Sequence, residues 1–421
     1  MANNLEEENK RLKRAVEELS ILNEIASAIS STMEVEEITK LILSKCIKRI
    51  DAEQGTVTLL KETVTDPFKT FVRIEDSTVK GVPYRFGVSL AGWMLKNQMP
   101  LLTNDLANDP RFKGVDTEET KIRSMLCVPL RVKNKMIGLI SLFNKKKEMF
   151  TPDDQRLLSI IAMQSAQVIE NARLYEEEKK LQQMEEDLKT ARNIQISLLP
   201  KENPSLPDID IVGFSLPARE VGGDYYDFIT IDQDRLGIVI ADVSGKGMPA
   251  ALLMANLQAT LRGQALTNHA PSECIAKSNS LLCRSMEKGK FVTLFYGILN
   301  IKEKSFTYTN AGHCYPLIFN AKGEFKKLEK GGLILGMLDD YPYQEEKIVL
   351  EPGELILLFT DGITEAFNKE NEQFEEERLI KVVQENFHRD AKEISQQIVN
   401  HVTAFQEDVP QSDDLTLVVV K

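Results

Sequence analysis

The chain has 421 residues, of which 42% are apolar and 28% are charged, a composition typical of globular proteins and not of disordered ones. Its net charge of −12 argues against non-specific nucleic-acid binding, which needs an excess of Lys and Arg. It contains no apolar run of the ~18–20 residues that span a bilayer, no signal-peptide pattern and no CxxC pair among its five cysteines. We therefore expect a cytoplasmic protein of two or three domains that binds neither nucleic acid nor membrane.

The first predicted element is an amphipathic helix. Apolar residues recur at alternating steps of three and four through the N-terminal region, amid many Glu and Lys side chains. We assign residues 1–19 to this helix. Its apolar stripe could pack on its own domain or pair with a second copy of the chain, and the sequence favours neither.

Residues 20–172 form the first predicted domain, in which a helical pattern is followed by short runs typical of strands. The predicted strands are 56–60, 71–74, 125–132 and 136–143. The segment that begins at Thr151 predicts a helix start, with Thr151 as the N-cap and Pro152 at the first helical position. This order indicates a mixed α/β domain.

A long helix follows, because neither Gly nor Pro occurs between residues 153 and 199. In its last third a heptad spacing is kept by Leu181, Met184, Leu188, Ala191, Gln195 and Leu198, whereas the apolar residues upstream follow a different phase. The register therefore shifts near residue 180. This pattern favours a coiled-coil linker over residues 173–199 that joins two copies into a homodimer, with a plain spacer as the alternative.

Three prolines, Pro200, Pro204 and Pro207, end the helix and begin a second domain over residues 200–421. Many short strands are predicted here, and the helices fall in separate blocks at about 249–266, 272–286 and 375–406. Strands in runs with helices apart from them predict α+β layers, and this length is enough for one core.

An Asp stands at the end or the start of a predicted strand four times in this second domain. The positions are Asp224 in GGDYYD, Asp242 after the run 236–241, Asp361 after the run 355–360, and Asp413-Asp414 before the run 415–420. Any one of them is more typical of a turn, but four together predict a cluster that binds Mg²⁺ or Mn²⁺. Zinc is disfavoured because the four histidines show no ligand spacing.

Such a carboxylate cluster indicates a particular chemistry. Two ions about 3.5–4 Å apart can share an activated water and support an in-line displacement at phosphorus. This reaction needs no covalent nucleophile, and the sequence offers no convincing Ser-His-Asp or Cys-His arrangement.

Seven motifs in consistent order carry a resemblance to a known family. They are ARNIQISLLP (191–200), PAREVGGDYYD (217–227), ADVSGKGMPAAL (241–252), FVTLFYG (291–297), NAGH (310–313), TDGITEA (360–366) and SDDLTL (412–417). Over about residues 191–421 the chain resembles the SpoIIE/RsbU-type branch of the metal-dependent PPM (type 2C) serine/threonine phosphatases. The resemblance implies a central β-sandwich flanked by helices that holds two Mn²⁺ or Mg²⁺ ions.

The resemblance also implies roles for individual residues. Asp242 matches the carboxylate that bridges both metals, and Asp224 matches the second-metal ligand, beside the backbone carbonyl of Val243. Asp361 and Asp413 match the remaining ligands of the first metal. These four aspartates are the predicted catalytic residues.

Four further positions are left open by the comparison of motifs. Asp414 is adjacent to Asp413, and either of the two could point inward. Ser244 replaces a histidine found in eukaryotic members, so no general acid is available there. Arg219 is either a phosphate-binding residue or a surface arginine, and His313 either assists the leaving group or is structural.

Residues 20–172 resemble a GAF sensory domain, an antiparallel sheet with flanking helices. The resemblance lies in SMLCVPL (124–130), IGLI (137–140) and FTPDD (150–154). A motif of cyclic-nucleotide-binding GAF domains is matched except at Gln155, where an acid is usual, so no ligand is assigned. A small molecule or a protein could bind this domain, and Cys127 is interpreted as core packing.

The combined resemblance implies a GAF-regulated phosphoserine/phosphothreonine phosphatase. Its substrate would be a phosphorylated STAS-domain anti-anti-sigma protein, which then captures an anti-sigma kinase and so releases a sigma factor. The alternative is a non-catalytic pseudophosphatase scaffold that binds regulatory partners, against which the retained aspartates speak. A nucleotide cyclase, suggested by Gly222-Gly223-Asp224, leaves the other aspartates unexplained.

Overall fold

The computed structural model describes residues 34–60, 68–75, 92–112, 122–268 and 270–421. The chain divides into two compact units, residues 1–183 and 184–421. The helix predicted for residues 1–19 lies outside the described residues. Among the described residues, no helix combines the length and the apolar character needed to cross a membrane.

The first unit is built on one antiparallel sheet with the strand order β2-β1-β5-β4-β3. Its elements are α1 (Val35–Ile50), β1 (Ala52–Leu60), β2 (Phe68–Glu75), β3 (Leu101–Thr103), a 3₁₀ turn (Pro110–Phe112), β4 (Met125–Val132), β5 (Lys135–Lys145) and the first part of α2 (Pro152–Leu198). Helix α1 and the start of α2 share one apolar core with the sheet. The predicted antiparallel sheet with flanking helices is confirmed.

Two predictions for the first unit concern particular residues. Thr151 does cap α2, because its hydroxyl accepts the Asp154 backbone N–H at 3.2 Å while the Asp154 carboxylate accepts the Thr151 N–H at 2.8 Å. The Cys127 thiol is fully buried and burial raises its pKa to about 12. A neutral, buried thiol has the properties of a packing residue.

Helix α2 is 47 residues long and changes character along its length. Its first part buries Leu158, Ile161 and Ala166 in the core of the first unit. Farther on, apolar side chains are exposed, with Leu174 54%, Leu181 62% and Met184 61% accessible to solvent. From its middle onward, the helix therefore presents apolar side chains that are more than half exposed among the described residues.

The second unit is a sandwich of two six-stranded sheets. One has the order β14-β11-β10-β9-β8, with β15 paired to β11, and the other has the order β13-β12-β16-β17-β7-β6. Its strands are β6 (Ser205–Leu206), β7 (Ile209–Leu216), β8 (Tyr225–Thr230), β9 (Arg235–Val243), β10 (Val292–Asn300), β11 (Ser305–Ala311), β12 (Leu317–Phe319), β13 (Phe325–Lys327), β14 (Gly331–Gly332), β15 (Glu346–Val349), β16 (Leu355–Phe359) and β17 (Leu415–Val420). The sheets enclose one apolar core between them.

Helices cover both outer faces of the sandwich. They are α3 (Met248–Ala265) and α4 (Pro271–Ser285) on one sheet, and α5 (Asp361–Thr364), α6 (Glu375–Asn386) and α7 (Ala391–Gln406) on the other. Strand β9 shows why four layers form: Ile238 and Ile240 face the second sheet, whereas Val239 and Ala241 face α3 and α4. The predicted β-sandwich flanked by helices is confirmed.

Candidate active site

Strand pairing brings the five predicted aspartates to one end of the sandwich. Strand β8 begins directly after Asp224, and its first residue pairs with the neighbour of Asp242 near the end of β9. In the other sheet, the end of β16 pairs with the start of β17, which places Asp361 close to Asp413 and Asp414. The sequence predicted these positions from the ends of the apolar runs.

A hydrogen bond joins the two sheets at this end. The Thr360 hydroxyl donates to Oδ2 of Asp224 at 2.7 Å and accepts the backbone N–H of Thr416 at 3.1 Å. Asp224 is only 6% exposed. Burial, followed by the charges of Asp242 and Asp414, raises the pKa of Asp224 well above its usual range.

Asp242 is a partly buried carboxylate that has no hydrogen-bond partner among the described side chains and backbone groups. Burial, followed by the charges of Asp361, Asp413 and Asp414, raises its pKa to about 7, and the charge of Lys246 opposes this rise. A buried carboxylate without a partner is stabilised when it takes up a proton or a cation at neutral pH.

The chemistry of this donor set fits a hard divalent cation, since all of its side-chain donors are carboxylate oxygens. Asp361 shares the same environment, because burial and then the charges of Glu365 and Asp413 raise its pKa. Within the described ranges, however, no group of three or more His, Cys, Asp or Glu side chains is spaced to hold a metal ion. The predicted ligands lie at one end of the fold, where the charge of each carboxylate acts on its neighbours.

Asp413 and Asp414, which the sequence could not distinguish, have different surroundings. Asp414 is 8% exposed, and its carboxylate accepts the backbone N–H groups of Ala218, Gly223 and Asp224 at 2.8, 2.6 and 3.3 Å. Asp413 has a side chain that is 40% exposed and accepts a hydrogen bond from Lys246 at 2.9 Å. Asp414 therefore shapes the loop before β8, and Asp413 is the one that faces outward.

Glycine is required in this loop because the backbone passes close to other groups. A Cβ on Gly222 would lie 2.4 Å from Oδ2 of Asp414, and one on Gly223 would lie 2.8 Å from the carbonyl oxygen of Val243. Val243 O is the backbone group that the resemblance implied as a ligand, so the loop of Asp224 runs directly beside it.

Gln195, on the last turns of α2, is a residue that the sequence reasoning missed. Its side-chain nitrogen donates to Gly222 O at 2.7 Å, and its side-chain oxygen accepts the Gly222 N–H at 3.1 Å. The side chain is 8% exposed. A signal was present, since a glutamine occupies a heptad position where an apolar residue is expected.

His313 is held in place through both ring nitrogens. Nδ1 accepts from the Thr293 hydroxyl at 2.8 Å, and Nε2 donates to Phe359 O at 3.1 Å, a tautomer assigned from these partners. The ring is 5% exposed, and burial lowers its pKa to about 4. A neutral ring with both nitrogens bonded ties β10 to β16 and has no proton to give to a leaving group.

The remaining predicted positions are Ser244 and Arg219. The Ser244 hydroxyl accepts the backbone N–H of Phe291 at 2.9 Å, so it belongs to the fold. Arg219 is exposed in the loop that Asp414 holds, and it forms no ion pair within the described part of the chain. It remains a candidate for binding the substrate phosphate.

Family models match both units in the expected order. The model "Stage II sporulation protein E (SpoIIE)" matches residues 232–421, and "GAF domain" matches residues 32–170.

Curated relatives match the same region. The chain is 34% identical over 252 residues to "Phosphoserine phosphatase RsbU" of Bacillus subtilis, covering 59% of this chain and 74% of that protein. It is 28% identical over 182 residues to "Phosphoserine phosphatase RsbP" of the same organism, covering 42% of this chain and 45% of that one. Among solved structures, the SiaA-PP2C domain of Pseudomonas aeruginosa covers 57% of this chain and 97% of that domain, with a TM-score of 0.51 and 21% identity, which shows a common fold.

Proposed function

This chain belongs to the SpoIIE/RsbU-type family of PPM serine/threonine phosphatases and carries a GAF domain before the phosphatase domain, and on that premise we propose that it hydrolyses phosphoserine or phosphothreonine in a partner protein. The observation that carries the proposal is the unpaired carboxylate of Asp242, surrounded by Asp361, Asp413 and Asp414. This environment favours a cation at the place where the family has its metal centre.

The side chains take the following roles in this proposal. Asp242, Asp361 and Asp413 would hold one Mn²⁺ or Mg²⁺ ion, and Asp242, Asp224 and the carbonyl of Val243 would hold a second. When bound, the two metal ions would supply an activated water and positive charge for an in-line displacement at phosphorus.

Other residues position this machinery or the substrate. Asp414 and Thr360 fix the Asp224 loop, through three backbone N–H groups and one hydroxyl group respectively. Arg219, exposed in that loop, orients the phosphate of the substrate. His313 stays neutral and holds two strands together.

We propose a phosphorylated STAS-domain anti-anti-sigma protein as the substrate. The support is the similarity to RsbU and RsbP, both described as phosphoserine phosphatases. Dephosphorylation would let the STAS protein capture an anti-sigma kinase and release a sigma factor.

Regulation is proposed to pass from the GAF domain through α2. The exposed side chains of Leu174, Leu181 and Met184 supply an apolar seam for a second copy of the chain. Gln195 links the end of the helix to the loop of Asp224, so a change in the helix can reach a predicted metal ligand. The signal at the GAF domain is a small molecule or a protein.

The test is phosphate release from a phosphorylated STAS protein, with and without Mn²⁺, by the wild type and by Asp242→Asn. A matched control is Asp232→Asn, since Asp232 lies in the β8–β9 turn and pairs with Arg235. We expect Mn²⁺-dependent turnover by the wild type and the control and its loss in Asp242→Asn. Equal activity of both aspartate variants would refute the site, and a wild type that binds the STAS protein without turnover would show a scaffold.

A further inference from the structure

Lys246 forms an ion pair with Asp413, one of the predicted metal ligands. Nζ of Lys246 donates to Oδ2 of Asp413 at 2.9 Å and to the carbonyl oxygen of Ser412 at 2.7 Å. The lysine side chain is 46% exposed and the Asp413 side chain is 40% exposed. The contact therefore lies at the open rim of the carboxylate cluster, on the side that solvent ions reach.

The backbone around Lys246 directs its side chain. The lysine stands between Gly245 and Gly247, whose φ angles of 106° and 73° lie in the left-handed region that favours glycine. Gly247 is also the N-cap residue of α3. The turn follows β9 directly, so the ammonium group of Lys246 is carried four residues after Asp242, the predicted bridging carboxylate.

We propose that Lys246 is an internal counter-cation that competes with the divalent ion for Asp413 and so sets the metal concentration the protein needs. The inference rests on the proposed metal-dependent function. Oδ1 of Asp413 accepts the backbone N–H of Asp414 at 2.9 Å, so Oδ2 is the oxygen that the lysine shares with an incoming ion. The ammonium group lies 2.9 Å from Oδ2, so it would repel a metal ion that binds this oxygen. Lys246 would therefore have to move away from Asp413 when the ion binds.

The consequence is a centre that needs a higher concentration of free metal for half-occupancy than it would need without the lysine. Because the lysine is tethered by the turn, its effective concentration at Asp413 is constant, whereas that of the ion varies.

The test is calorimetric titration of the full chain with Mn²⁺ as the only ligand. We expect Lys246→Gln to lower the Mn²⁺ dissociation constant by about 3- to 10-fold, the range for loss of one partly exposed ionic contact. Lys246→Arg keeps the charge and should leave the constant unchanged or higher. Circular dichroism checks that each variant is folded.

The matched control is Lys290→Gln, which removes a nearby positive charge that is not bonded to Asp413. Nζ of Lys290 lies 3.0 Å from the position of a Cβ on Gly245, beside the same turn. We expect less than a twofold change for this variant.

Each result decides between the two proposals. An unchanged or weaker affinity in Lys246→Gln, or an equal gain in Lys290→Gln, would overturn the role of the lysine while leaving the metal-dependent function intact. A wild type that takes up no Mn²⁺ would overturn both. A tighter site in Lys246→Gln alone, with a matching decrease in the Mn²⁺ needed for half-maximal phosphate release, supports the inference.

Discussion

Gln195 and Gly222 form two reciprocal hydrogen bonds, so a side-chain amide on α2 holds both polar groups of one glycine in the loop of Asp224. The next residues of that loop donate their N–H groups to Asp414. The end of α2 and the residue before β17 therefore both hold this loop through hydrogen bonds.

Breaking this contact tests its importance. Gln195→Glu would place a carboxylate against the Gly222 carbonyl, losing one hydrogen bond and leaving a buried acceptor unpaired. We expect a loss of about 1–3 kcal/mol in the free energy of unfolding and at least a tenfold loss of kcat/KM, because the loop of Asp224 shifts. Urea unfolding and phosphate release measure the two effects. Gln182→Glu, exposed on the same helix, should change neither, and full activity of Gln195→Glu would contradict the role of the contact.

The two adjacent aspartates should separate stability from metal binding. Asp414→Asn loses charged hydrogen bonds to three backbone N–H groups, and we expect it to cost about 2–4 kcal/mol of folding free energy. Asp413→Asn loses only an exposed ion pair, worth about 0–1 kcal/mol, but should abolish Mn²⁺ binding at the first site. Thermal unfolding without metal and calorimetry with Mn²⁺ distinguish them. The reverse pattern would make Asp414 the ligand.

Asp242 predicts an unusual pH dependence of the metal-free protein. Its pKa is about 7 when folded, above the ordinary value of 3.8, so the folded state binds the extra proton between these pH values. Its contribution to stability is therefore lost as pH rises from about 4 to 7. In EDTA at pH 8, Asp242→Asn should be more stable than the wild type by about 1–3 kcal/mol, with a difference that shrinks toward pH 4.

Adding Mn²⁺ should reverse this order, because the ion stabilises the ionised carboxylate of the wild type. Urea unfolding of both proteins across this pH range, with and without Mn²⁺, makes the measurement. The lowered pKa of His313 has the opposite effect, because it makes the folded protein less stable as pH falls from 6.5 toward 4. This effect is the same in the wild type and in Asp242→Asn. If the wild type were more stable than Asp242→Asn in EDTA at pH 8, the raised pKa of Asp242 would be ruled out.

The exposed seam of α2 predicts a dimer. Replacing Leu181 and Met184 together by Glu puts like charges into a seam that is otherwise apolar, and we expect the chain to sediment as a monomer. Analytical ultracentrifugation measures this. The control is a double substitution by Glu of Gln182 and Lys189, which lie on the same stretch of helix outside the seam. A wild type that is strictly monomeric would remove the proposed route of regulation through a dimer.

Local patterns predicted the α+β layers and the aspartates, whereas the β-sandwich was implied by the family resemblance. Apolar runs mark buried strands, and Asp242 and Asp361 stand directly at the ends of such runs. The roles of Asp414 and Lys246 were not predictable in this way. Asp414 bonds to groups 190 to 196 residues away, and Lys246 bonds to a carboxylate 167 residues away.

Gln195 shows the same limit in another form. The heptad pattern placed it correctly on a helix, but periodicity says which face a residue occupies and not what its amide meets. Its partner is a backbone group, which carries no side-chain signal in the sequence. Contacts of this kind become visible only when the chain has been folded in space.

The hydroxyl of Thr360 belongs to one sheet and the carboxylate of Asp224 to the other, so the two halves of the catalytic end are fastened across the gap between layers. A small sliding of one sheet over the other would separate the Thr360 hydroxyl from the Asp224 carboxylate, while the apolar core between the sheets stayed closed. Heat inactivation should consequently set in below the melting temperature, and amide protons at this edge should exchange sooner than those in the middle of β9 and β17.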